Sequence, residues 1–327
     1  MPARAGDSRA RKTGKTQPVI PRSIKQLLAR RLHRIIGVDA VREAIAEAAA
    51  THTRQMLPLV NGLRYAAEPI AELKRRPEYE RCQQAVALLA PLVIADAQLV
   101  RLGGPNDGGY VMLDTLRPPA VTAAYSFGIG GNTSWDRAVA DLGVDVFLYD
   151  HTIAAPANLP SRCRFKPLGI TGIQKAPQLR TLHECLAANG HASRHDLALK
   201  MDVEGAEWDV LAEGASQMLE QFHQIVIEFH DLAGVLDPSR HDAMIAALAK
   251  LAATHQPVHV HANCMHVPIW IGDLVLPPVL EVTYVRRRDV AGRIGGPAGP
   301  FPTAIDQPNM PGWPDAYLGR FGHKAGE

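Results

Sequence analysis

From Leu99 to Arg286 this 327-residue chain alternates short apolar runs with longer amphipathic stretches. An apolar run of four to eight residues between turn residues predicts a strand, and apolar positions recurring at i, i+3 and i+4 predict a helix. Strands are expected near Val121–Phe127, Val144–Asp150, Cys163–Leu168, Leu197–Asp202 and Gln224–Phe229. Helices fall between and after them, near Thr133–Leu142, Pro177–Ala188, Ala206–Phe222 and Ser239–His255, and two late strands follow at Val258–Ala262 and Leu280–Arg286. Parallel strands need crossover connections, so this alternation points to an α/β fold with a doubly wound, mostly parallel sheet of about seven strands.

The flanks differ from this body. Between Met1 and Ile36 there are ten Lys/Arg and one acid, a net +9, whereas the rest of the chain carries 25 Lys/Arg and 32 acids, a net −7. The expected organisation is a disordered basic tail at 1–21, a helical extension at 22–95, the α/β domain at 96–294 and a Gly/Pro-rich tail at 295–327. The acidic body argues against nucleic acid as a partner. The Arg-rich amphipathic stretch Arg22–Ile36 suggests weak contact with an anionic membrane surface, and the helical extension suggests packing on the body or on a second copy.

With 46% hydrophobic and 21% charged residues, the composition excludes a disordered, collagen-like or coiled-coil chain. The longest nearly apolar run, Ala85–Ala95, is too short to span a bilayer. Four cysteines without CxxC pairing argue against a disulfide framework or zinc ribbon and favour a cytoplasmic location.

In open α/β sheets ligands bind at the carboxyl ends of the strands. The first strand ends in Gly128-Ile129-Gly130-Gly131, a turn through which backbone can approach a ligand closely, and Thr133 with Asp136 fits a capping box for the next helix. The second ends at Asp150, 22 residues after Gly128, near the spacing at which an acid accepts the hydroxyls of an adenosine ribose. GxGG lacks the third glycine of a pyrophosphate cradle, which favours S-adenosylmethionine over a dinucleotide. The fourth strand delivers Asp202, Glu204 and Glu207 together, and the fifth ends in Glu228-Phe229-His230-Asp231. Clustered acids at one strand end repel each other, and a His beside them suits proton transfer near neutral pH. His259 and His261 read as structural.

"LKMDVEGAEWDVL" (Leu199–Leu211) resembles the acidic signature of FkbM-type S-adenosylmethionine-dependent methyltransferases, and "DGGYV" at Asp107 with "YSFGIGGNTSWD" at Tyr125 resembles a related branch. The resemblance spans about Leu99 to Arg287. It implies a class I methyltransferase (Rossmann-like) fold, a cofactor site at Gly128, Gly130, Gly131 and Asp150, and Asp202 and Glu204 near the reacting methyl. Ser126 stands where many such enzymes carry an acid, so Asp107 or Asp202 is expected to hold the cofactor's amino group. The expected activity is O-methylation of a sugar or other polar metabolite, a small molecule or glycan, with His230, Asp202 or Glu204 taking the proton. An NAD-dependent oxidoreductase and a non-catalytic methyltransferase-like scaffold are the alternatives. Asp202, Glu204, Glu228, His230 and Asp231 also form a set that could hold a divalent ion; the expectation is a site that works without metal.

Overall fold

The computed structural model describes residues 70–173, 176–214 and 216–323. The basic tail, the amphipathic stretch Arg22–Ile36 and most of the helical extension lie outside the described residues. Helix α1 (Pro77–Leu88) precedes an antiparallel hairpin of Leu99–Leu102 and Tyr110–Leu113. The main sheet contains β1 (Ala123–Phe127), β2 (Asp145–Tyr149), β3 (Cys163–Lys166), β4 (Leu197–Met201), β5 (Phe222–Phe229), β6 (His255–Ala262) and β7 (Leu280–Arg286). Their spatial order is β6-β7-β5-β4-β1-β2-β3. The pairs β5–β4, β4–β1, β1–β2 and β2–β3 are parallel, and β7 runs antiparallel to both β5 and β6. This is the seven-stranded, mostly parallel sheet of a Rossmann-like methyltransferase fold.

Side chains alternate across a strand, and here both faces are covered, which is why the runs are apolar throughout. Tyr125, Phe127, Phe147, Tyr149, Leu199 and Ile227 enter one core, beneath helices α1, α3 (Leu182–Ala188), α4 (Glu207–Glu213) and α5 (Pro238–Thr254). Ala124, Val146, Leu148, Ala198 and Val226 enter the other, with the hairpin and α2 (Ser134–Asp141). Among the described residues no helix is long and apolar enough to cross a membrane.

The helix starts depart from expectation. At α2, Thr133 makes no capping bond; Asn132 Oδ1 accepts from Ser134 N at 3.1 Å instead, and Thr133 Oγ1 accepts from Arg137 Nε. The complete capping box is at α3, where Thr181 and Glu184 bond reciprocally, so that helix begins at Leu182 rather than Pro177. The single helix expected over Ala206–Phe222 is two, Glu207–Glu213 and Ser216–Leu219, with extended backbone at Gly214 between them.

The C-terminal segment is mostly irregular, as its Gly and Pro content demands, yet it is packed. Ile294–Pro297 pairs with Leu92–Ile94, and Phe301, Leu318 and Phe321 are buried. His259 Nε2 lies 3.1 Å from Asp306, and His261 contacts Glu281 at 3.2 Å and Asp315 at 2.8 Å. Burial alone would pull the His261 pKa down, but the Glu281 and Asp315 carboxylates outweigh it and carry it up to about 11.

Candidate active site

Strand order reverses between β1 and β4, and a cavity of about 350 Å³ opens at their carboxyl ends. The two ends approach so closely that a Cβ on Gly128 would sit 1.6 Å from the Asp202 carbonyl oxygen, and its φ is +73°. Only glycine fits there. Gly130 also has a positive φ, +55°, but a Cβ on it would meet nothing within 4 Å. The loop therefore has one glycine that the fold requires and one that leaves room in the cavity.

Asp150 is buried and shapes this loop. Oδ2 accepts from Ile129 N at 3.0 Å and Gly130 N at 3.1 Å, and Oδ1 accepts from Thr152 N at 2.8 Å and Thr152 Oγ1 at 2.6 Å. Burial opposes its ionisation, but these bonds outweigh that and hold the carboxyl below the usual range. A carboxylate has about four lone-pair positions, so all are spent on the protein. In this geometry Asp150 holds the loop, and the direct hold on a ribose expected of it would need one of these bonds to give way.

Across the cavity, Asp202 Oδ2 accepts from the Tyr110 hydroxyl at 2.9 Å and lies 3.7 Å from Lys200 Nζ. The buried Lys200 also donates to the Gly128 carbonyl at 2.7 Å, tying β4 to the glycine loop. Glu204, at φ +55°, projects into solvent at the mouth, with 87% of its side chain exposed. A non-glycine residue in that backbone region is held there by its surroundings, a feature that gathers at functional sites.

Behind this wall stands His230. Its Nδ1 is 2.9 Å from Oε1 of Glu207, which also accepts from Val203 N at 3.0 Å. Its Nε2 lies 3.5 Å from Glu204 Oε2 and 3.9 Å from Asp202 Oδ1. Burial pulls the His230 pKa down, but Glu207, Glu228 and Glu204 outweigh it and carry it up to about 9. At neutral pH the ring is therefore charged in the ligand-free chain, which opposes the proton-accepting role expected of it. Glu228, also buried, accepts from Asn263 Nδ2 at 2.9 Å; its carboxyl is driven upward by burial and then by Asp202 and Glu281.

Of the residues expected from sequence, Asp107, Gly128, Gly130, Asp150, Asp202 and Glu204 line the cavity; Gly131 and His230 do not. Gly131 follows the loop in open space, where an added Cβ would meet nothing within 4 Å, and His230 meets the cavity through Asp202 and Glu204. Sequence reasoning missed Tyr110 and Lys200 as site residues. A lysine inside the apolar run Leu197–Met201 was the available signal, since a buried cation requires a partner. It also missed that Glu207, fully buried, orients His230.

Comparison with known proteins gives one family match: a profile described as Methyltransferase FkbM domain covers residues 49–254, more than half of the chain. No curated protein gives a significant match.

Proposed function

The chain belongs to the FkbM methyltransferase family, and from that premise we propose that it methylates a hydroxyl of a sugar or other polar metabolite, with S-adenosylmethionine as donor. The observation that carries this reading is the cavity between the glycine loop and an acidic wall. Gly130 leaves space for a ligand against backbone, while Asp107, Asp202 and Glu204 suit a ligand bearing sulfonium and ammonium charges. When bound, the cofactor supplies an activated methyl group, so the protein's task is chiefly alignment.

In this reading the clamped loop presents its backbone to the cofactor and the acidic wall holds its cationic end. The acceptor enters over β4 and β5, where Glu204 is the carboxylate with most freedom to take the proton. His230, charged, fixes the positions of Asp202 and Glu204 around it. The four cysteines are unpaired, which fits the cytoplasmic location expected.

The test is calorimetric titration with S-adenosylhomocysteine, followed by transfer of labelled methyl to a panel of sugars and other hydroxylated metabolites. Binding and label on oxygen are expected, and Glu204→Gln, which removes the proton acceptor, should slow turnover by roughly 10²–10⁴-fold. No binding at millimolar S-adenosylhomocysteine defeats the cofactor assignment; label on nitrogen alone defeats the acceptor class.

A further inference from the structure

Three side chains at the ends of β4 and β5 each have one polar atom engaged by the protein and one left free. His230 directs Nδ1 at Glu207, which turns Nε2 the other way; Nε2 makes no hydrogen bond among the described residues. Asp202 spends Oδ2 on Tyr110 and keeps Oδ1, which lies 3.9 Å from that Nε2. Glu228 spends Oε1 on Asn263 and keeps Oε2. One ligand atom from each of the three lies within 4.8 Å of the other two. Around an ion with bonds of about 2.1 Å, adjacent octahedral ligands are about 3 Å apart and opposite ones about 4.2 Å. The cluster is thus slightly wider than a filled site and closes on an ion with small side-chain movements.

Two features separate this from a structural ion-pair cluster. None of the three side chains hydrogen-bonds another; each is oriented by a different outer group, Glu207, Tyr110 or Asn263. Metal-ligating histidines and carboxylates are oriented in this way, the imidazole by a carboxylate on its far nitrogen. Glu207 supplies the second: it is fully buried, and its Oε2 has no hydrogen-bond partner among the described residues. Such a carboxylate is costly unless positive charge stands nearby, and here that charge stands on the imidazole, as its own proton or as an ion on Nε2.

We propose that Asp202, Glu228 and His230 form a divalent-cation site of the Mn²⁺ or Mg²⁺ kind, two carboxylate oxygens and one imidazole nitrogen, the ion displacing the Nε2 proton to solvent, with the remaining positions open to water and an acceptor hydroxyl. Its part in catalysis rests on the function proposed above. There it answers a chemical difficulty, because an alcohol is far too weak an acid for a carboxylate alone to deprotonate. Coordination lowers the hydroxyl's pKa. The O–H bond breaks with its proton passing to Glu204 and its electron pair staying on oxygen; that oxygen bonds to the methyl carbon as the C–S pair leaves on sulfur.

The experiment uses the full chain, stripped with chelator and titrated with Mn²⁺ by electron paramagnetic resonance and thermal unfolding. Expected are one Mn²⁺ per chain, a raised Tm, and methyl transfer lost on chelation and restored by Mn²⁺. Glu207→Gln should weaken Mn²⁺ by about 10–100-fold, as loss of an outer partner does, and Glu228→Gln by more, with His230→Gln as a second ligand variant. No Mn²⁺ binding at millimolar concentration, or equal binding by the wild type and both ligand variants, overturns the site. Titrating S-adenosylhomocysteine into the same samples separates the two readings. Cofactor binding without Mn²⁺ binding sinks the cation site alone; Mn²⁺ binding without cofactor binding supports the cation site and sinks the proposed donor.

Discussion

Asp150 at the end of β2 accepts four hydrogen bonds from the protein, whereas Asp202 at the end of β4 accepts one. The contrast extends to their surroundings. The glycine loop is closed by its backbone donors to Asp150 and tied to β4 by Lys200. The acidic wall gathers Asp107, Asp202, Glu204, Glu207 and Glu228 against Lys200 and His230, and burial, then the Asp202 charge, raises the carboxyl pKa of both Asp107 and Glu228. One half of the site is preformed at little electrostatic cost; the other stores repulsion that a cationic ligand relieves. Native structures give up stability in this way at sites that must bind.

The largest effect should come where the halves touch. Gly128→Ala sets a methyl group against the Asp202 carbonyl at a positive φ, and should destabilise by more than about 4 kcal/mol or prevent folding. Gly130→Ala, in the same loop with open space, should cost only about 1–2 kcal/mol for its left-handed backbone. Denaturant unfolding of the pair is the measurement; equal losses would mean the close approach is not rigid.

The acidic wall is backed by the C-terminal segment through His261. His261→Gln leaves Glu281 and Asp315 without their buried cation and should cost about 3–5 kcal/mol near pH 6. The folded pKa, about 11, lies above the ordinary 6.5, so this contribution is complete below pH 6.5 and fades as pH rises through 11. Melting temperatures of both proteins from pH 6 to 10 should therefore converge upward in pH; a gap that widens would reverse the assignment of charge.

Asp150→Ala removes the charged acceptor that shapes the loop, whose hydrogen bonds are each worth about 1.5–3 kcal/mol, and should weaken S-adenosylhomocysteine by a similar amount because binding must then re-form the loop. Unchanged affinity by calorimetry would detach the loop from the cofactor. The smallest effect carries the opposite sign: Asp202→Asn keeps the Tyr110 contact, removes repulsion, and should stabilise the ligand-free chain by about 1 kcal/mol while abolishing turnover. If it destabilises the ligand-free chain instead, the acidic wall does not store the repulsion described.

The seven strands of the main sheet were legible because most are buried on both faces and read as apolar runs; the edge strand β3, half exposed, is the weakest of them. Gly128, Gly130, Asp150, Asp202 and Glu204 were legible as strand-end residues, since the fold places strand ends together, whereas Asp107, in the hairpin turn, was reached only through the family resemblance. What escaped depends on contacts across the sheet. The need for glycine at 128 comes from the carbonyl of residue 202, the cap of α2 comes from Asn132 rather than Thr133, and the orientation of His230 comes from Glu207, 23 residues earlier. The tail reads as mere linker because its few anchors, Phe301, Asp306, Asp315, Leu318 and Phe321, are scattered among Gly and Pro.

The position of β7 sets an order of events during synthesis. It is the last strand of the main sheet to leave the ribosome, yet it lies between β5 and β6. Until Arg286 has emerged, β5, with all eight residues buried in the finished molecule, keeps a bare edge, the kind of surface that recruits other chains. The glycine loop and its clamp need only the first 152 residues, with β4 to complete their sheet neighbours. The acidic wall waits for Asn263 to cover Glu228 and for β7 to seal β5. A nascent chain thus forms its glycine loop well before its acidic wall, and its exposure to misassembly ends when the last strand slots into place.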